Sequence, residues 1–310
     1  MSLSFFLFYL FRSLFIRQKL TNYQNASLDY RCFFVFFLGS GTKTINLVQD
    51  GGIGNLCVKC HQPRPMTTNT NKYDGNVFDY ATLVSNPNAI FYDTTKIYPS
   101  PGKDSNIVAL SYRSGNHYGA VGAIFAGQGG IEFAGSLSYS NSPHATKASC
   151  QNCHMADMTG AAGGHTFKAK GNFNGCNVTG CHIDDPLSST YNGYWSDIRN
   201  EMKGLLTTLA GKINAFGYAG HPILHSDATE TNLWLGITTG NYDGYLDIYS
   251  SSSNPSGYYG KAGNPKFPSL TNKQMGAILN FQLCLREYSL GIHNTKYTRA
   301  LLTNTIEQLP

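Results

Sequence analysis

Three short motifs, each joining two cysteines to a histidine, constrain this chain more than any other feature of its sequence. The first two have the spacing CxxCH and span Cys57–His61 and Cys150–His154, whereas the third, Cys176–His182, has four residues between its cysteines. Six of the eight cysteines and three of the nine histidines lie in these motifs. The fold must therefore serve a chemistry that uses two thiols and an adjacent imidazole at three places.

Covalent attachment of haem gives every residue of such a motif a role. The two thiols add to the two vinyl groups on one edge of the haem, which requires them to lie about one turn apart, and the histidine beneath the ring binds the iron. The sequence therefore predicts three c-type haems. Their attachment cysteines and proximal histidines are Cys57, Cys60 and His61; Cys150, Cys153 and His154; and Cys176, Cys181 and His182.

Other uses of cysteine pairs account for fewer of these residues. A structural zinc site usually joins two pairs within about 15–20 residues, but about ninety residues separate the first pair from the second here. A thioredoxin-like pair would need a βαβ setting, which the sequence lacks. Disulfides in an exported protein would leave the three histidines without a role. The pattern thus favours haem attachment.

The composition predicts a loop-rich body. Charged residues make up only 13% of the chain, against roughly 25% in ordinary globular domains. From about residue 42 to 185 the chain is rich in Gly, Asn, Thr, Ser and Pro, and strand-like stretches such as Ile131–Tyr139 are short and interrupted. We therefore expect a multihaem cytochrome fold with few α-helices, mainly C-terminal, and little β-structure, in which covalently bound haems form the core.

Three regions divide the chain. Residues 1–40 form an atypical N-terminal segment, 41–190 a haem-binding region, and 191–310 a C-terminal helical region that packs on it and includes a Gly/Ser/Tyr-rich loop at 217–268. The N-terminal segment holds nine of the 18 phenylalanines, and we interpret it as a degenerate export signal or a non-native start. Its two apolar runs fall well short of the ~20 residues of a membrane-spanning helix, so no transmembrane span is predicted.

The charge distribution excludes nucleic acid as a partner. Residues 1–43 hold five basic residues and one acid, and so account for most of the formal net charge of +5. The rest of the chain is nearly neutral and lacks a basic stripe. Its field is too weak for binding driven by phosphate contacts.

The C-terminal region contains three predicted helices. Ser196 can cap a helix with a clear 3.6-residue apolar stripe. Thr271 opens a second helix that is apolar nearly all round and ends near Gly291, and a third begins at about Thr295. Within the second helix, Cys284 is expected to be a buried small residue.

Six histidines remain as candidate second ligands for the irons: His117, His144, His165, His221, His225 and His293. The first three lie among the haem motifs in turns marked by Gly or Pro, and we predict them as distal ligands. His293, just before the last helix, is the fourth predicted ligand, while the roles of His221 and His225 stay open.

Four stretches of the chain resemble a known family. They are His117–Gly119, Ser142–Met155, Gly163–Phe167 and Ser289–Asn294. Each is similar to sequences of multihaem c-type cytochromes related to hydroxylamine oxidoreductases and pentahaem nitrite reductases. Within that group, the chain most resembles the small extracellular cytochromes, some of which polymerise into nanowire filaments. The resemblance covers roughly residues 42 to 309.

The resemblance implies several properties. The irons would be bound by two histidines each, some supplied from distant sequence positions or from a neighbouring subunit. The chain would form a homo-oligomer or a filament through head-to-tail contacts, which propagate when the rotation between subunits does not close. Its location would be extracellular or at the cell surface, with the periplasm as the alternative. Its redox partners would be other redox proteins or extracellular acceptors.

One departure from the family concerns the number of haems. Small members of the family often carry four haems, so a further CxxCH motif would be expected before Cys57. The only cysteine there is Cys32, and phenylalanine rather than histidine follows it directly. Six non-motif histidines also exceed the need of three irons. We therefore hypothesise a fourth attachment motif in the natural protein.

These features favour an electron carrier over an enzyme. All three motifs end in histidine, and six-coordinate irons exchange electrons without binding substrate. The predicted function is electron transfer, in an extracellular cytochrome that can polymerise into a conductive filament. The alternatives are a soluble periplasmic electron-transfer cytochrome and a redox enzyme acting on nitrite or hydroxylamine.

Overall fold

The computed structural model describes residues 34–38, 41–43, 45, 47–48, 52–62, 80–92, 115–116, 119–188, 193–217, 221–226, 242–247 and 269–310. Two of the residues singled out in the sequence, Cys32 and His117, lie outside these ranges, as does most of the N-terminal segment. Within them the chain is loop-rich, with few helices and little sheet, as the composition predicts.

The regular elements are short until the C-terminal region. The helices are α1 (Gly54–Cys60), α2 (Tyr80–Ser85), α3 (Val121–Phe125), α4 (Pro143–Lys147), α5 (Cys150–His154), α6 (Tyr194–Ala215), α7 (Asn272–Leu285) and α8 (Thr295–Gln308), with a 3₁₀ turn at Gly164–Thr166. The strands are β1 (Phe34–Leu38), β2 (Gly41–Lys43), β3 (Ile90–Tyr92), β4 (Leu224–Ser226), β5 (Tyr242–Leu246) and β6 (Leu270–Thr271).

All strands pair in antiparallel twos, β1 with β2, β3 with β6 and β4 with β5. The β4–β5 pair aligns Leu224 with Leu246 and Ser226 with Tyr242. Both strands lie within the stretch 217–268, which the composition predicts as a loop. These pairs are too small to organise the molecule, because two strands alone are marginally stable. The long helices must therefore supply the framework.

Helix α6 follows the predicted apolar stripe but begins earlier than predicted. Met202, Leu206 and Ile213 are buried along one face. The helix starts at Tyr194 after Gly193, whose φ of 60° turns the chain into it. Ser196 is therefore inside the first turn, where its hydroxyl donates to the Gly193 carbonyl at 3.3 Å, and the prediction that it caps the helix is wrong.

Helix α7 lies at the centre of the fold. Its start is confirmed, since Thr271 and Gln274 form a reciprocal capping box, the arrangement that satisfies two otherwise unpaired amides. Twelve of its 14 residues are buried, Cys284 among them. A helix that is apolar nearly all round must be covered on every side, and here α2, α6, α8 and β5 cover it.

Helix α7, the second of the three predicted C-terminal helices, ends at Leu285, six residues before the predicted end near Gly291. Three residues of the following turn have positive φ: Tyr288 (63°), Leu290 (54°) and Gly291 (83°). Left-handed backbone is costly for the two non-glycine residues and persists only where the surroundings impose it. This turn redirects the chain into α8, which begins at Thr295 as predicted. It also places His293 beside His154 of the second cysteine motif.

A conventional apolar core forms where the three long helices meet. Its central side chains are Leu206 of α6, Phe281 of α7 and Leu301 of α8, all at most 1% exposed, and Ile124 and Phe133 join them from the preceding region. The long helices therefore share an apolar side-chain core, whereas a core of haems stays a prediction. None of the helices in the described ranges is both long and apolar enough to cross a membrane.

The stretch Ile131–Tyr139 bends at residues 135–137 and forms no strand, and side chains bind its backbone in place of a partner strand. Asn280 accepts from the Ile131 amide at 2.7 Å and donates to the Ile131 carbonyl at 2.8 Å. Asn304 binds the amide and carbonyl of Leu137 in the same way, at 3.1 and 2.8 Å. Amides of α7 and α8 thus satisfy backbone groups that a sheet would otherwise pair.

The segment with the second and third motifs contrasts with this core. Among the described residues from 134 to 193, the buried apolar side chains are only Ala145, Ala162 and Phe173, and none belongs to the core cluster. Side-chain amides hold the segment together instead, for example Asn172 and Asn174, which both donate to the Asp157 carbonyl at 2.9 Å. A stretch of this size buries too little apolar surface to fold by side-chain packing alone.

Candidate functional site

Local structure sets the geometry of the first two cysteine motifs. Helix α1 ends at Cys60, so Cys57 and Cys60 lie one turn apart, and the His61 amide closes the helix on the Cys57 carbonyl at 2.8 Å. Helix α5 consists of the second motif itself, capped by a reciprocal box between Ser149 and Asn152. A five-residue helix has little intrinsic stability, so the capping box maintains the spacing of the two thiols.

The third motif reaches a similar arrangement without a helix. Its longer spacing forms consecutive turns, in which the Cys176 and Asn177 amides both donate to the Phe173 carbonyl at 2.9 Å. The His182 amide then donates to the Cys176 carbonyl at 3.0 Å. The turns therefore bring the histidine back to the first cysteine despite the two additional residues.

The histidine of the second motif is paired with a histidine from the C-terminal region. The rings of His154 and His293 are nearly parallel, with an interplanar angle of 21° and centroids 6.2 Å apart. Nδ1 of His154 lies 2.9 Å from the Phe167 carbonyl, and Nδ1 of His293 lies 2.7 Å from Oε2 of Glu287. Both Nδ1 atoms donate, because a carbonyl and a carboxylate only accept.

The histidine of the third motif has a comparable neighbour. The rings of His144 and His182 lie with centroids 6.1 Å apart at an angle of 67°. His144 follows Pro143 at the start of α4, and its Nδ1 donates to the Ile292 carbonyl at 2.7 Å. Tyr194 contacts the other side of the pair, with its ring centroid 5.8 Å from that of His182.

Both separations suit two imidazoles that share one metal ion. With metal–nitrogen bonds of about 2.0 Å on opposite sides, the two ring centroids lie roughly 6 Å apart. Ligating histidines also typically donate the other ring N–H to a carboxylate or carbonyl, as His144, His154 and His293 do. Nε2 is thereby left as the nitrogen able to bind metal. The residues present therefore fit the axial positions of two haem irons.

The ionisation behaviour of the pairs agrees with this fit. Burial lowers the pKa of His154, the Phe167 carbonyl partly offsets this, and the charges of His293 and His61 lower it further. Burial and the charge of His144 lower the pKa of His182. The neutral imidazole is the form that binds metal, so the surroundings of both motif histidines favour the ligating state.

Exposed apolar side chains cluster around the motifs. Of the ten large apolar residues that are exposed within the described ranges, nine are near a motif in sequence or contact its histidine: Val48, Ile53 and Leu56; Met155, Met158 and Phe167; and Val178, Ile183 and Tyr194. Exposed apolar patches on soluble proteins usually mark a surface that something covers. Flat apolar haems attached at the neighbouring cysteines would cover these side chains.

The three motifs adjoin one another in chain order. The Cys153 and Cys176 thiols, from the second and third motifs, are hydrogen-bonded, which lowers the pKa of Cys153 and raises that of Cys176. His61 of the first motif lies close enough to His154 for its charge to act on that ring. Groups attached at these cysteines would therefore be neighbours.

The remaining candidate histidines are distributed differently. His165 lies exposed in the 3₁₀ turn, and within the described ranges neither it nor His61 forms a ring pair with another histidine. Nδ1 of buried His225 lies 2.9 Å from Asp243, and His221 lies near the Pro222 carbonyl and Asp247. Within the same ranges, no three or more His, Cys, Asp or Glu residues form a cluster that could hold a metal ion by themselves.

Sequence reasoning missed two residues that position the pairs. Glu287 is fully buried against His293. Asn294 is also fully buried, and it accepts from the Ser142 amide at 2.9 Å and donates to the Ile124 carbonyl at 3.0 Å. It thereby ties the turn that carries His293 to the residues before His144. The sequence shows only that Glu287 lies six residues before His293 and that Asn294 follows it directly, which does not reveal these contacts.

Comparison with known proteins identifies no relative. The chain matches no protein-family model, no curated protein and no solved structure.

Proposed function

We propose that this chain is a multihaem c-type cytochrome whose function is electron transfer. Cys57 and Cys60, Cys150 and Cys153, and Cys176 and Cys181 would each attach one haem, with His61, His154 and His182 as the proximal ligands. His293 would be the second ligand of the iron bound by His154, and His144 that of the iron bound by His182. His61 has no assigned partner, and His117 and His165 stay predicted ligands.

The observation that carries the proposal is the pairing of each of two motif histidines with a histidine outside the motifs. The rings lie 6.1 and 6.2 Å apart between centroids, too far for a hydrogen bond between them. Protonation of both rings in a pair would be repulsive, so the side chains gain little from each other directly. A shared iron gives the arrangement a physical reason.

The haem, when bound, supplies reversible one-electron chemistry at iron. The protein holds and orients the imidazoles: the Phe167 and Ile292 carbonyls direct His154 and His144, and Glu287 directs His293. At the two sites with paired histidines, both iron positions would be taken by side chains, and substrate would have no coordination site there. This argument favours electron transfer over reduction of nitrite or oxidation of hydroxylamine.

The contacts between motifs support transfer along the chain. The Cys153–Cys176 contact joins the attachment points of the second and third haems, and the His61–His154 proximity joins the first to the second. Haems held there would form a continuous row. A filament with head-to-tail contacts, an extracellular or periplasmic location and a fourth haem stay predictions from the resemblance.

The test replaces the paired histidines one at a time. We expect His293→Ala and His144→Ala each to convert one iron of three from low-spin to high-spin in absorption and electron paramagnetic resonance spectra, at unchanged pyridine-haemochrome content. Gln308→Ala, in the last helix and outside the motifs, is the control and should leave the low-spin spectrum intact. Purified protein without a Soret band would refute the proposal, and a high-spin iron in the unmodified protein would favour the enzyme alternative.

A further inference from the structure

Glu287 is a buried carboxylate dedicated to one of the four paired histidines. Its side chain is 0% exposed, and its Oε2 lies 2.7 Å from Nδ1 of His293. The Ser289 hydroxyl donates to both carboxylate oxygens, at 2.9 and 2.7 Å, and the Gly291 amide donates at 3.0 Å. Every one of these donors lies within the turn between α7 and α8, so the turn is built around this carboxylate.

The other hydrogen-bonded ligands have neutral partners. Nδ1 of His154 donates to the Phe167 carbonyl, and that of His144 donates to the Ile292 carbonyl. A charged acceptor forms a stronger hydrogen bond than a neutral one, and it makes the imidazole a more basic ligand. His293 therefore differs electrostatically from His154 and His144.

A more basic ligand and a buried negative charge both stabilise the more positive, oxidised iron. Charges interact more strongly away from water, and hydrogen bonds around the ligands are one of the means by which a protein sets a haem potential. A haem held between His154 and His293 would thus be harder to reduce than one held between His144 and His182. The charge of Asp185 acts on His182, but that carboxylate is exposed to water, which weakens its effect.

We propose that Glu287 is a positioning residue that gives the haem between His154 and His293 a lower reduction potential than the haem between His144 and His182. This inference rests on the proposed function, because it requires His293 to bind iron. The two adjoining sites would then differ in driving force, and the direction of electron flow between them would depend on a residue that contacts neither haem iron.

Three donors surround the carboxylate: the Gly291 amide, the Ser289 hydroxyl and the His293 ring N–H. Hydrogen bonds of this kind stabilise the negative charge of a buried carboxylate. The positive φ angles of Tyr288 and Leu290 show that the backbone adopts costly conformations to surround this group.

The test measures midpoint potentials by spectroelectrochemistry on the full haem-loaded chain. In Glu287→Gln, we expect the ratio of reduced to oxidised iron at a fixed potential to rise about tenfold at one site, an upward shift of about 59 mV. The site is identified as the one that becomes high-spin in His293→Ala. Glu201→Gln is the matched control: its carboxylate binds Arg299 on the exposed side of α6, and all potentials should stay unchanged.

Ser289→Ala provides a second variant with the opposite expectation. Without the hydroxyl donor, the carboxylate becomes a stronger acceptor for His293, so the same potential should shift downward while the haem content stays unchanged. Opposite signs distinguish an electrostatic role from general damage, which would shift both variants alike. If Glu287→Gln fails to fold, the shift in Ser289→Ala decides alone.

The outcomes separate this inference from the function on which it rests. A chain that binds no haem refutes the proposed function. A haem-loaded chain in which neither variant shifts a potential, or in which all potentials shift equally, overturns the role of Glu287 and leaves electron transfer standing.

Discussion

The side chain of Asn280 is expected to contribute more to the stability of the fold than most other single side chains. It is fully buried in α7 and makes three hydrogen bonds: it accepts from the Ile131 amide at 2.7 Å and donates to the Ile131 carbonyl and the Thr305 hydroxyl, both at 2.8 Å. Asn280→Ala removes all three. Thr305 retains its bond to the Leu301 carbonyl, and the Ile131 carbonyl retains the Phe133 amide at 3.0 Å, but the Ile131 amide loses its partner.

The magnitude follows from the Ile131 amide and the bonds lost with it. A buried group left without a partner costs about 1–3 kcal/mol, and a hydrogen bond lost at a group that keeps another partner costs about 1 kcal/mol. We therefore expect a loss of about 3 kcal/mol in the free energy of unfolding. Natural domains have only about 5–15 kcal/mol in total. The substitution should therefore remove a large fraction of the stability.

Urea denaturation followed by far-ultraviolet circular dichroism measures this loss. Asn280→Leu fills the space without hydrogen bonds and should be destabilised as well. The control is Asn86→Ala, at an exposed asparagine whose side chain bonds only its neighbour Ser85. It should change the free energy of unfolding by less than about 0.5 kcal/mol. A loss below about 1 kcal/mol in Asn280→Ala, or full stability in Asn280→Leu, would refute the role of the hydrogen bonds.

Two further predictions concern packing and alkaline pH. Gly276→Ala should destabilise the protein by about 1–3 kcal/mol, because the added Cβ would lie 2.5 Å from the Phe133 ring. Gly211→Ala in α6 should instead stabilise it by up to about 1 kcal/mol, because the added Cβ meets nothing within 4 Å. Equal effects of the two substitutions in urea denaturation would contradict this. Burial raises the pKa of Tyr139 to about 12 from 10.0. The neutral hydroxyl therefore contributes fully to the free energy of unfolding below pH 10, and this contribution is lost as the pH rises towards 12. We expect Tyr139→Phe to lose less stability than the unmodified protein between pH 9 and 11, and an identical loss would argue against this residue.

Much of the helical framework could be predicted because its signals are local. The apolar stripe of α6 and the Thr271 capping box depend on residues a few positions apart. The predicted end of the second C-terminal helix was wrong. Helix α7 ends at Leu285 because the following turn surrounds Glu287 with nearby donors, and such a turn leaves no periodic signal in the sequence. Distant contacts decide elsewhere: Asn280 and Asn304 bind the backbone of Ile131–Tyr139, which forms no strand.

The candidate site divides in the same way. The cysteine motifs are visible in the sequence because both thiols and the histidine lie within seven residues. His144 was predicted as a ligand and lies beside a motif histidine, and so does His293. The choice of partner for each could not be predicted, because the rings meet only through the packing of α4, α5 and the turn before α8.

The amino-acid sequence by itself determined where the three cysteine–histidine motifs lie and which residues begin the last two helices, since motif spacing and capping involve only a few neighbouring residues. Only the tertiary structure decided that His293 faces His154, that His144 faces His182 and that a single buried carboxylate serves one of these pairs. Such contacts depend on how distant elements share the same interior, and no local periodicity encodes that arrangement.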